Sequence, residues 1–134
     1  MSKKNKNKNQ QKWLTDNLKG EWIDKDQIIE IVLFKSLIHY VEKEDGLNDY
    51  AYDFSEGLEH GYIRQDTVDT IKLRQNELND AYIYLKNERP ALKNQVDEWD
   101  GTNIVEFITL EDLLLDKDTE VMNTIVKYRG YMWT

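Results

Sequence analysis

Along the chain the densest apolar run is IIEIVLFKSLIHYV, residues 28–41. Here Ile28, Ile29, Ile31, Val32, Leu33, Phe34, Leu37, Ile38, Tyr40 and Val41 cover most of the circumference of a helix. A helix that is apolar nearly all round is a buried one. Asp24 as N-cap, Gln27 three residues later and Asp26 near the positive end of the helix dipole make a start signal, and the polar run from Glu42 to Gly46 makes a stop. A β-strand would be shorter, mostly about 3 to 10 residues. A membrane span would need about 20 apolar residues, and Glu30, Lys35, Ser36 and His39 interrupt this run. The stretch therefore predicts the central buried helix of an all-α domain.

A second pattern runs over residues 66–88, where Val68, Ile71, Leu78, Tyr82 and Leu85 recur at heptad spacing with Gln75 in the remaining position. That is an amphipathic helix of coiled-coil character, with Asp69, Lys72, Arg74, Glu77 and Lys86 on its outer face. Pro90, the only proline, is expected to end it. Residues 91–99 read as a short helix with Leu92, Val96 and Trp99 on one side, followed by a turn at Asp100 and Gly101. Ile104, Val105, Phe107 and Ile108 suggest a short extended piece. A C-terminal helix is expected from Leu110, opened by a capping box of Thr109 and Asp112, with Leu114, Val121, Ile125 and Tyr128 on its inner face. Asp116, Lys117 and Asp118 interrupt that pattern, and Gly130 reads as a left-handed stop. Tyr131, Met132 and Trp133 are then expected to fold back on the helix they follow.

Between these helices, residues 45–62 mix acids and aromatics, with Tyr50, Tyr52, Phe54 and Leu58 available for packing and Gly57 and Gly61 marking turns. Ahead of the apolar run, Trp13, Leu14 and Leu18 set a helical rhythm closed by Gly20. Residues 1–12, MSKKNKNKNQQK, hold no apolar side chain after Met1 and read as a disordered tail. The organisation implied is a tail over residues 1–12 and one helical domain of four to six helices over residues 13–134.

Charge sharpens this picture. The formal net charge is −8, but five lysines lie in the first twelve positions, which leaves 13 basic against 26 acidic residues beyond them. Such a body repels nucleic acid and anionic membranes and attracts basic partners. The basic tail is the one part suited to nucleic acid, although no aromatic residue lies among its lysines. Without cysteine there is no disulfide framework, no thiolate metal site and no thiol nucleophile. No secretory leader pattern precedes the first helix.

Three segments, WIDKDQIIEIVLFKSLIHYVEKE from Trp22, LKNERPA from Leu85 and VKYRGYMWT from Val126, together resemble a group of small uncharacterised proteins of tailed bacteriophages. The resemblance implies a phage origin, in the cytoplasm of an infected cell or in the virion. It carries over no catalytic or binding residue.

Chemical motifs are sparse. Carboxylate metal sites in helical bundles use Glu-x-x-His, whereas His39 precedes Glu42 and Glu59 adjoins His60. A calcium loop around Gly101 would put Val96 and Phe107 where oxygen ligands are needed. Phosphate-binding glycine loops and a nucleophile elbow are absent. The reading is therefore a protein without cofactor or metal that acts through protein–protein interaction. The candidate surface is Val68, Ile71, Leu78, Tyr82, Leu85, Tyr131 and Trp133, with self-association through the heptad face. The alternative is an acidic inhibitor that mimics nucleic acid, and a metal-dependent hydrolase is a more distant third.

Overall fold

A computed structural model describes residues 12, 28–47 and 53–132 of the chain. The fold is all-α, with no strand among the described residues. Two compact units are distinguished, Met1–Ser36 and Leu37–Thr134. The division falls inside the apolar run rather than at the end of the basic tail.

In the first unit, Ile28 and Ile29 lead into a π-helical segment, Glu30–Lys35. Of its apolar residues only Phe34 is fully buried, while Ile28 and Ile29 are exposed. Burial along residues 28–41 is thus narrower than its composition implies, with Leu37 the only other fully buried position. The expected cap at Asp24 and Gln27, the rhythm at Trp13 to Leu18 and the tail short of Lys12 lie outside the described residues.

α1, Ser36–Glu42, stops where the polar run begins. Asp45 takes a positive φ of 52°, and the Gly46 amide donates to the Tyr40 carbonyl at 2.9 Å. The closure spans six positions, one more than the five of the Schellman motif, with Asp45 in the left-handed region ahead of Gly46. Gly46 lies so close beneath the Tyr40 ring that any Cβ there would collide with it. A short α2, Ser55–Glu59, follows, with Asp53 accepting from the Ser55 amide at 2.9 Å.

The second unit is organised by a helical hairpin. Its first arm is α3, Gln65–Ile83, a π-helical segment Tyr84–Glu88, and α4, Arg89–Asp97. Pro90 does not break this arm, contrary to the sequence expectation. The flanking Ile83, Glu88 and Arg89 all keep right-handed helical backbone, and Pro90 occupies the first turn of α4. The π segment makes the accommodation, with the Arg89 amide reaching back five residues to the Tyr84 carbonyl. A widened turn there relieves the strict four-residue ladder that a proline ring obstructs.

Gly101, at φ +86°, turns the chain into the second arm, α5, Ile104–Lys127. Two expectations are corrected here. Ile104, Val105, Phe107 and Ile108 are helical, because the cap is Asn103, whose side-chain oxygen accepts from the Glu106 amide at 3.1 Å. Thr109 lies inside the helix and donates its hydroxyl to the Val105 carbonyl at 2.8 Å. Asp116, Lys117 and Asp118 cause no break, since solvated or paired charges are compatible with a helix that is held by its other face. Gly130 is likewise no left-handed stop, as it lies within a last helical turn, α6, Arg129–Met132.

The arms run antiparallel. As position rises along the first arm, partners fall along the second: Arg74 with Tyr131, Glu77 with Lys127, Arg89 with Asp118, Trp99 with Phe107. Val68, Leu78, Ala81, Tyr84, Leu85 and Leu92 are buried from one arm, and Val121, Ile125, Tyr128 and Met132 from the other. At the closed end the Trp99 and Phe107 rings stack at 4.5 Å, and the indole donates to the Asn103 carbonyl at 3.1 Å.

Candidate interaction surface

The heptad face predicted as a surface is turned largely inward. Val68, Leu78 and Leu85 are buried within the chain, and Ile71 and Tyr82 are half-buried. Tyr82 donates to Glu42 of α1 and Ile71 lines a pocket with Gly57 of α2, so most of this face is spent on packing within the chain. That corrects the reading of self-association through this helix. Tyr131 is exposed and carries the Arg74 guanidinium 3.9 Å from its ring centre, an arrangement favoured by the ring quadrupole. Met132 beside it is buried, and Trp133 lies outside the described residues.

Three polar clusters tie the elements of the second unit together. In the first, Tyr84 donates to Asp118 Oδ1 at 2.8 Å, and Arg89 reaches both oxygens of that carboxylate. Burial first, and then the Asp118 carboxylate beside it, push the Tyr84 hydroxyl well above its ordinary value of 10, so it stays protonated. In the second, Glu42 accepts from Lys86 at 2.9 Å and from Tyr82 at 2.7 Å, which joins α1 to the first arm. These bonds hold Glu42 below the usual glutamate value and raise Lys86 and Tyr82. In the third, Glu77 is lowered by the Tyr128 hydroxyl and then by Lys127, whose ammonium lies at 3.2 Å. Each carboxylate accepts from a basic side chain and is also held by a tyrosine hydroxyl. They act as ties between helices.

Between the arms lies a groove of about 350 Å³ bounded by Glu77, Asp80, Glu88, Glu120, Ile83 and Tyr84, among others. Its rim is acidic, with Lys117 placed 5.8 Å from the Tyr84 ring centre. No group of three His, Cys, Asp or Glu side chains converges as metal ligands would among the described residues. His39 instead pairs with Glu44 at 3.2 Å, and His60 stacks on Tyr62 at 5.5 Å. None of the described helices is long and apolar enough to cross a membrane.

The more unusual surface is on α5. Its inner face supplies Val121 and Ile125 to the core. A second row, Ile104, Ile108, Leu115, Met122 and Val126, falls within an arc of about 40° on an ideal 3.6-residue helix. Four of the five are exposed, Ile104 and Leu115 at 62% each, and Met122 is half-buried. Val105, at 71%, extends the patch at its N-terminal end. Glu106, Glu111, Asp112 and Asp116 mark this half of the helix as acidic. The signal was present in the sequence, in the seven-residue steps from Ile108 to Leu115 to Met122. It was masked by reading residues 104–108 as extended and residues 116–118 as a break.

The chain is an all-α protein with a helical hairpin at the centre of its second unit. Comparison with models of protein families, with curated proteins and with solved structures finds no match to it.

Proposed function

We propose that this is a small accessory protein, of phage origin as its resemblance suggests, that works by binding another protein. The observation supporting this is the uncovered apolar row on α5, Ile104, Ile108, Leu115 and Val126. A large aliphatic side chain gains about 1.5–3 kcal/mol when fully buried, so an aligned row on a solvated helix is a reservoir of association energy. Extended apolar rows rimmed by charge mark interaction sites. The acids on the same half of the helix favour a basic partner over an acidic one.

The acidic groove supports the second reading, imitation of a nucleic-acid backbone by Glu77, Asp80, Glu88 and Glu120. Capture of proteins from an infected-cell lysate on the immobilised full chain, at low and at high salt, separates the two. A partner retained at high salt and lost with Leu115→Glu supports the apolar surface. A DNA-binding protein released by salt, indifferent to Leu115→Glu and lost with Glu120→Lys, supports mimicry.

A further inference from the structure

We infer that the open row on α5 is covered by the same row of a second copy, laid antiparallel about a two-fold axis at Leu115. The inference rests on the reading of this face as a protein-binding surface, and it names the partner. Its basis is the spacing. Ile104 and Val126 lie eleven residues on either side of Leu115, and Ile108 and Met122 lie seven on either side. Turned end for end about Leu115, the row superimposes on itself, so Ile104 meets Val126, Ile108 meets Met122, and Leu115 meets Leu115. A two-fold interface demands this self-complementarity, each residue of one copy facing its counterpart on the other. An unrelated partner demands none.

Charge selects the antiparallel sense. Glu111 lies within the row and is exposed. Parallel helices would set it against the Glu111 of the other copy, and like charges placed together are destabilising. In the antiparallel arrangement Glu111 meets Thr119 and Glu106 meets Thr124, both uncharged. The two helix dipoles then oppose each other, the favourable sense. At ~1.5 Å per residue the row is about 33 Å long. One helix pair of that length is a small interface, so a concentration-dependent dimer in the micromolar range is expected.

Because the chain has no cysteine, single thiols report register without interference. In the full chain, Leu115→Cys should form a disulfide-linked dimer under mild oxidation. Ile104→Cys alone should not, while Ile104→Cys mixed with Val126→Cys should. Sedimentation velocity should show monomer and dimer in exchange, with Leu115→Glu weakening association at least tenfold. Leu115 is solvent-exposed, so helicity by circular dichroism should be unchanged and serves as the folding control. A chain that stays monomeric at several hundred micromolar, or Ile104→Cys that cross-links with itself, overturns the proposal. If that monomer still captures another protein through Leu115, only the second copy is refuted. If it captures none, the binding surface itself falls as well.

Discussion

Arg89 clasps Asp118 through two parallel hydrogen bonds, Nε to Oδ1 at 2.9 Å and Nη2 to Oδ2 at 3.1 Å. The bond joins the residue before Pro90 to the middle of α5, and the side chains are only 16% and 14% exposed. Removing Asp118 takes the bidentate acceptor from Arg89, and the Tyr84 hydroxyl loses its acceptor at the same time. Asp118→Ala should therefore cost about 2–3 kcal/mol, somewhat below the range for a fully buried pair. The double variant Arg89→Met with Asp118→Leu should recover much of that loss. Urea midpoints of the three proteins check this. Equal stability of wild type and Asp118→Ala would show the clasp to be idle.

The two apolar faces of the hairpin should respond oppositely to truncation. Leu78 is 0% exposed and Leu115 is 62% exposed. Leu78→Ala should destabilise the monomer by about 2–5 kcal/mol, the usual range for a buried leucine. Leu115→Ala should change unfolding of the dilute protein by less than about 0.5 kcal/mol, as surface substitutions do, while weakening association. Thermal melts at low concentration, paired with sedimentation at high concentration, separate these effects. Similar losses of stability at both sites would contradict the assignment of inner and outer faces.

Helix content and the buried face of the first arm were legible in the sequence because they follow from local periodicity. Val68, Leu78 and Leu85 at heptad spacing are buried together. Whether such a face meets another chain or another part of its own is not a local property. Asn103 shows the same limit at smaller scale. A single side-chain bond to the Glu106 amide decides that the β-branched Ile104 and Val105 enter a helix, and propensity alone points the other way. Pro90 was misread because the π segment that accommodates it leaves no simple compositional mark. The contacts of Arg89, Tyr84 and Asp118 join positions 29 and 34 residues apart, and no spacing rule predicts them.

Gln75 occupies a core position of α3 at 2% exposure, and its Oε1 accepts no hydrogen bond from any described group. A buried carbonyl left unpaired costs about 1–3 kcal/mol. Gln75→Met keeps the unbranched shape and removes the orphan, so it should raise stability by about 1–2 kcal/mol, the bulk of that penalty. The urea midpoint should rise without a change in slope. A fall would mean that the amide has a polar role that methionine cannot fill.

Glu42 and Glu77 give the fold a defined response to acid. Lys86 and then Tyr82 hold Glu42 below the ordinary glutamate value of 4.5, and the Tyr128 hydroxyl and then Lys127 do the same for Glu77. At neutral pH both groups are ionised in the folded and unfolded chains, and the bonds to their partners contribute fully. As pH falls through 4.5 the unfolded chain takes up protons first, so its free energy drops relative to the fold. The stabilisation is lost progressively until the depressed folded-state values are passed as well. Glu42→Gln and Glu77→Gln abolish this linkage at their own positions. Each should therefore be less stable than wild type at pH 7, with the gap closing as pH is lowered through 4.5 toward 3. Urea midpoints measured across that interval test the claim, and variant and wild-type profiles that stay parallel throughout would exclude these two carboxylates as its source.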